Sequence, residues 1–344
     1  MLAIIAFLFG SFANVLIHRI PNGHSIFAPR SHCPKCGYQL KWFENIPIIS
    51  YVILQGQCSK CKTNIPLSYP VVEAIVGMLG IIMLQFSTSV VEYFFYLILI
   101  TIVVALGFID YKAQRLPHAL TYSAILFVIF YSSLFWNPFY APVIAFHNLP
   151  AKLAMSATSI AYLGLAFFVV DCFTHCANLF YFKDEALKLA SSALTFRSEK
   201  LIKHVTWIYI LIAGLELYLA FNYPLVIFYY FNCALGLSYL INEICIDYIF
   251  ASETDEEIPA DGKTILGGGD ASFVAMAAVI LGPLHALIVF VLACYIALTQ
   301  RVIDKIKEKI KKESLERRYM PLGPGLAFAL IAVMMFLKAS FRLI

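Results

Sequence analysis

Charge is what this sequence of 344 residues has least of. Asp, Glu, Lys and Arg together make up 13% of it, against 61% hydrophobic residues and a mean hydropathy of +0.81. A soluble globular domain carries about twice that charged fraction, so this class is excluded. The apolar runs also lack two-residue alternation, which excludes a membrane barrel and leaves helices as the way to satisfy the backbone in hydrocarbon. No basic stretch precedes the first apolar run, MLAIIAFLFGSFANVLIHRIP, and no small-residue cleavage pattern follows it, so it is expected to be a first spanning helix. No glycine-rich nucleotide loop sits between a strand and a helix. The bases of residues 301–318 are not interleaved with aromatics, which argues against nucleic acid as a partner.

What is present is a series of apolar runs long enough to cross about 30 Å of hydrocarbon. They lie near 1–17, 69–87, 91–109, 119–138, 153–173, 205–222, 225–250, 270–300 and 323–341. The expected fold is an all-α polytopic membrane protein of nine to ten membrane helices with a small zinc-ribbon-like loop near the N-terminus. The organisation reads as a first helix over 1–17, a cysteine loop over 18–68, helices with a first acidic motif over 69–140, an extended region over 141–260, and a last helical region over 261–344.

Lys and Arg in short loops mark the cytoplasmic side. Residues 18–68 hold Arg19, Arg30, Lys35, Lys41, Lys60 and Lys62 against the single acid Glu44, which places this loop in the cytoplasm. Alternation then brings Asp110, Lys112 and Arg115 to the same side. If 270–300 were one span, residues 301–318, with eight bases and four acids, would lie outside. Gly282 and Pro283 resolve the conflict by splitting it into a short helix over 270–281 and a return over 283–300. A dozen residues do not span unless the segment is re-entrant, water-lined or set in a thin site. With the split, Asp110 and Asp270 share the cytoplasmic face.

Two carboxylates sharing a site do not both ionise cheaply, so a pair of this kind divides into an acid and a base around one water, the chemistry of aspartic peptide hydrolysis. Gly267, Gly268 and Gly269 before Asp270 permit unusual dihedrals and close approach of an extended substrate. Each aspartate is equally readable as an interfacial helix cap. Glu73, an acid at the start of an apolar run, is a further substrate-site candidate or a cap.

Cys33-Pro-Lys-Cys36 and Cys58-Ser-Lys-Cys61 form two CxxC pairs separated by 21 residues. That spacing supplies four thiolates to one structural zinc, and a reducing cytoplasm disfavours disulfides. A redox dithiol or a metal-free reduced loop are the alternatives. Cys172, Cys176, Cys233, Cys245 and Cys294 lie unpaired in apolar segments and read as core residues, so a second metal site at His175 is not expected.

These residues together resemble the type IV prepilin peptidases, membrane aspartic proteases of the GxGD type. GSFANVLIHRIP at 10–21, the two CxxC pairs, NIPIISYVILQGQC at 45–58, YPVVEA at 69–74, IDYKAQRLPHALT at 109–121, GGGD at 267–270 and PLGPGLAFA at 321–329 follow the family's order. The resemblance implies catalytic roles for Asp110 and Asp270 and zinc at the cysteines. It further implies a bacterial inner-membrane enzyme that removes short basic leaders from prepilins and pseudopilins, and that also methylates the new N-terminus from S-adenosylmethionine. The chain departs from the family at His118 within LPxxLT, at Ala271 and Ser272 after GGGD, and in the 160 positions between the aspartates, which imply two added spans near 205–250 and the loop at 184–200.

Other readings remain. A proton- or cation-coupled transporter would use Asp110 and Asp270 near mid-membrane in repeated halves, and repeats are not evident. A zinc-bearing assembly factor without catalysis is the third. SETDEEIPAD at 252–261 reads as a solvated acidic loop or an attractor of basic leaders. RVIDKIKEKIKKESLERR, with Ile303, Ile306 and Ile310 on one stripe, reads as a helix lying along an anionic membrane surface.

Overall fold

The computed structural model describes residues 2–113, 116–135, 137–140, 149–181, 215, 229–237, 268–311 and 322–343. Its helices are α1 (Leu2–Arg19), α2 (Ile49–Ile53), α3 (Ser68–Phe86), α4 (Val90–Ala113), α5 (His118–Phe135), α6 (Ala151–Tyr181), α7 (Gly268–Leu281), α8 (Pro283–Lys311) and α9 (Gly323–Leu343). Short 3-10 turns cover Ile20–Asn22 and Trp42–Asn45, and residues 229–237 form a further helical stretch. Among the described residues there is no strand, only the isolated bridges of His32 with Gln39 and Gln57 with Asn64.

The expected all-helical membrane architecture is therefore what these residues form. Five segments, Leu2–Asn22, Ser68–Phe86, Val90–Ala113, Pro283–Gln300 and Gly323–Ser340, are long and apolar enough to span. The spans expected near 205–222 and 225–250, the loop at 184–200 and the acidic loop at 252–261 fall wholly or mostly outside the described residues. α6 runs past the expected end at 173 to Tyr181.

The chain divides into two compact units, Met1–Ala124 with Ile288–Ile344, and Ile125–Leu287. In the first, α4 packs against α1, α3 and α9, and its apolar residues are buried almost all round. α1 and α3 meet along small residues: a Cβ on Gly10 would stand 2.7 Å from Glu73 Cα, and one on Gly80 would stand 2.6 Å from Ala6 Cβ. In lipid no apolar driving force pushes helices together, so such close backbone approach supplies the packing.

Hydrogen bonds fix the helix directions in this unit. The Tyr93 hydroxyl donates to Leu2 O at 3.0 Å, while Asn14 Nδ2 donates to Tyr69 O at 3.1 Å and the His18 ring stacks on Tyr69. Glu92 near the start of α4 pairs with Lys338 near the end of α9. One end of the unit thus gathers the end of α1, the start of α3, the cysteine loop between them, the end of α4 and the start of α9.

In the second unit α7 packs on α6. Phe273 to Leu281 are at most 5% exposed. Fourteen residues give a helix of about 21 Å, too short to span, as expected of a segment sheltered by protein. Its buried C-terminal carbonyls are satisfied from elsewhere: the Tyr140 hydroxyl donates to Val279 O at 2.6 Å, and Asn137 Nδ2 donates to Ile280 O at 3.3 Å. Gly282, at φ +88, then turns the chain, and Pro283 opens α8. The split expected at Gly282 and Pro283 is observed.

Candidate active site and metal centre

Asp110 lies in the last turn of α4 and is 6% exposed. The first residue of α9, Gly323, donates its N–H to Asp110 Oδ2 at 2.7 Å. The first N–H groups of a helix have no partner within it and form its positive end, so a carboxylate is the complementary acceptor. Only glycine fits there, because a Cβ on residue 323 would lie 2.6 Å from both Cβ and Oδ2 of Asp110. One turn earlier on α4, a Cβ on Gly107 would stand 2.9 Å from Ala327 Cβ. The crossing of α4 over α9 is thus closest where the acid sits.

Asp270 is the third residue of α7, half-buried, within the helix's first turn. Gly268 and Gly269 are already helical, so the unusual backbone expected of the glycine run is not present at these two. Gly267 lies outside the described residues. Asp110 belongs to the first unit and Asp270 to the second.

Glu73, in the second turn of α3, accepts the Ile48 N–H at 2.7 Å and is also hydrogen-bonded by the Ser11 and Asn14 side chains. Ile48 has φ 63, a conformation costly for a β-branched residue. Glu73 therefore ties a strained point of the cysteine loop to the α1 and α3 pair.

The cysteines converge. The sulfurs of Cys33, Cys36, Cys58 and Cys61 all lie within 4.8 Å of one another, and those of Cys33 and Cys61 are 3.8 Å apart. Tetrahedral zinc with bonds of about 2.3 Å requires sulfur separations of about 3.8 Å, so the four donors fit such an ion. The two halves are built alike. Cys33 N–H donates to Tyr38 O and Gly37 N–H to Cys33 O; Cys58 N–H donates to Thr63 O and Lys62 N–H to Cys58 O. Each knuckle places a positive φ directly after its second cysteine, Gly37 at 68 and Lys62 at 58.

The environment prepares thiolates unevenly. Thr63, through its hydroxyl and backbone, brings the Cys61 thiol down to about 6, and the Cys36 and Lys35 N–H groups lower Cys33. At Cys36 the Tyr38 N–H favours the thiolate, but desolvation and the three other sulfurs outweigh it and push the thiol up to about 11. The charge of a bound metal would favour the thiolate form of such a group beside three others. Glu44 closes the loop from the side. Although desolvation opposes it, Ser59, the Lys41 N–H at 2.8 Å and Tyr38 hold its carboxyl below the usual range.

Two features are not singled out by the sequence reading. Gly323 is legible only as part of a helix start. Glu92 is an acid inside an apolar run, which by itself signals a partner within the bundle. Its Oε1 accepts from Lys338 Nζ and the Tyr96 hydroxyl, and its Oε2 from the Thr88 N–H and hydroxyl. The buried charge is fully satisfied.

Residues 4–86 match the Bacterial Peptidase A24 N-terminal domain. The prepilin leader peptidase/N-methyltransferase of Vibrio cholerae serotype O1 is 35% identical over 139 residues, which cover 38% of this chain and 55% of that protein. The proteins of the same name from Myxococcus xanthus and Neisseria gonorrhoeae are 40% and 35% identical, over 34% and 35% of this chain and 35% and 50% of their own lengths. The chain thus spans about half or less of the relatives it matches. No solved structure matches it. Residues 4–86 thus resemble a bacterial peptidase A24 N-terminal domain, and the chain is similar over about a third of its length to proteins named prepilin leader peptidase/N-methyltransferase.

Proposed function

We propose that this protein is an aspartic endopeptidase of the bacterial inner membrane, cutting the short basic leader from prepilins and pseudopilins at the cytoplasmic face. The observation that carries the reading is Asp110, a buried carboxylate fixed by the Gly323 N–H, in a chain whose second candidate acid opens the short, buried helix α7. In aspartic peptide hydrolysis two carboxylates divide the work. One accepts a proton from water as its oxygen bonds to the scissile carbonyl carbon; the other protonates the amine nitrogen as the peptide bond breaks. The pair titrates together, so neither role is assigned to one residue. Gly267, Gly268, Gly269 and Glu73 are the substrate-site candidates of this reading.

Cys33, Cys36, Cys58 and Cys61 would hold one structural zinc, which supplies cross-linking to the loop and no step of the cleavage. The names of the relatives also carry N-methylation, and the same reading extends to methyl transfer from S-adenosylmethionine. The test is cleavage of a purified prepilin by the purified chain in detergent, with Asp110→Asn and Asp270→Asn as inactive comparisons. Wild-type rates from either variant would end the proposal.

A further inference from the structure

The first unit carries a groove of about 500 Å³ where the cysteine loop folds back along α1, a volume within the range of small-molecule sites, about 300–1,000 Å³. Leu8, Phe12 and Val15 form its α1 wall at helical spacing. Ile4, one turn earlier on the same stripe, is 68% exposed, Leu8 51% and Phe12 42%, while Ala6, Gly10 and Ala13 on the opposite side are buried against the bundle. In a spanning helix such a stripe faces acyl chains. Phe27 and Trp42, both largely exposed, stand on the loop side of the groove. Arg19, Arg30 and Lys41 are the cations of the lining, and no acid lines the groove among the described residues. Arg19 is engaged by the loop itself, donating to the carbonyls of Ser25, Ile26 and Pro29. Arg30 and Lys41 are exposed at the groove.

The groove combines aliphatic, aromatic and cationic side chains. A phospholipid presents the matching parts: acyl chains, the glycerol level where aromatic rings settle, and a phosphate. We propose that this groove is a binding site for an anionic phospholipid, its phosphate between Arg30 and Lys41 and an acyl chain along Ile4, Leu8 and Phe12. Charge complementarity selects the occupant. A basic leader peptide carries the same sign as the rim and is repelled, and a zwitterionic lipid offers no net charge to two cations. The bound lipid joins α1 to the cysteine loop. The inference needs only that the chain spans a membrane and does not depend on the peptidase reading.

The test uses the full chain in nanodiscs of phosphatidylcholine alone and of phosphatidylcholine mixed one to one with phosphatidylglycerol, followed by lipid identification after detergent exchange. Phosphatidylglycerol is expected to be retained in preference and to raise the melting temperature. Arg30→Gln with Lys41→Gln should lower its retention about fivefold per cation removed, the equivalent of about 1 kcal/mol each. Equal retention of the two lipids overturns the site, and so does wild-type retention by the Arg30 and Lys41 variant. Inorganic phosphate that displaces the lipid and reproduces the thermal shift would assign the groove to a free anion instead. If the double variant fails to fold, the comparison of the two lipids on the wild-type chain still decides.

Discussion

Gly323 and Asp110, 213 positions apart, meet through an N–H to carboxylate hydrogen bond of 2.7 Å, with no room for a Cβ between them. The last helix therefore sets the position of the candidate catalytic acid. Gly323→Ala would displace the carboxylate or the start of α9. Losing a hydrogen bond to a charged group costs about 1.5–3 kcal/mol, so prepilin cleavage should fall about ten- to a hundredfold at unchanged expression. Turnover is compared with wild type at matched melting temperature, and an unchanged turnover number would show that this contact does not serve the reaction.

Asp110→Asn and Asp270→Asn keep the shape of each side chain and remove its proton chemistry. Each is expected to abolish leader removal while the protein still inserts and accumulates. Immunoblots of membrane fractions, read beside a processing assay, separate the two effects.

Purified protein should hold about one zinc per chain, lost from Cys33→Ser or Cys58→Ser. Glu44→Gln should leave the four donors in place and shorten the time the metal survives a chelator, because Glu44 links the Lys41 N–H to Ser59 and Tyr38. Elemental analysis reads both. Active, reduced protein without metal would remove the zinc assignment.

The Glu92 and Lys338 pair joins the start of α4 to the end of α9 inside the bundle. Glu92→Gln or Lys338→Met alone leaves the other polar group buried without its partner and should destabilise by about 3–5 kcal/mol. Glu92→Gln with Lys338→Met should cost less than the two single losses together. Thermal unfolding in detergent closes this cycle. Additive losses would mean that the two residues do not act as a pair.

The helices were legible because each is a local pattern. α1, α3, α4, α5 and α9 follow apolar runs to within a few residues, and the break between α7 and α8 follows from Gly282, Pro283 and the basic segment after them. The cysteine centre was legible because CxxC spacing confines two thiolates by itself, and the identical hairpins around Cys33 and Cys58 complete it. The reach of α6 to Tyr181 was not legible, since the apolar signal fades there while the backbone bonds continue.

By itself the sequence determined the class of the protein, the helices, the four thiol donors and the two candidate acids, all properties of residue type and short spacing. Only the tertiary structure decided that Gly323 holds Asp110, that Lys338 answers Glu92, that Glu73 fastens Ile48, and that Asn137 and Tyr140 cap α7. These pairings depend on the rotation and axial register of one helix against another. Many registers bury similar apolar area, and what selects among them is the close fit of small residues such as Gly10, Gly107 and Gly323 together with the need of every buried polar group for a partner.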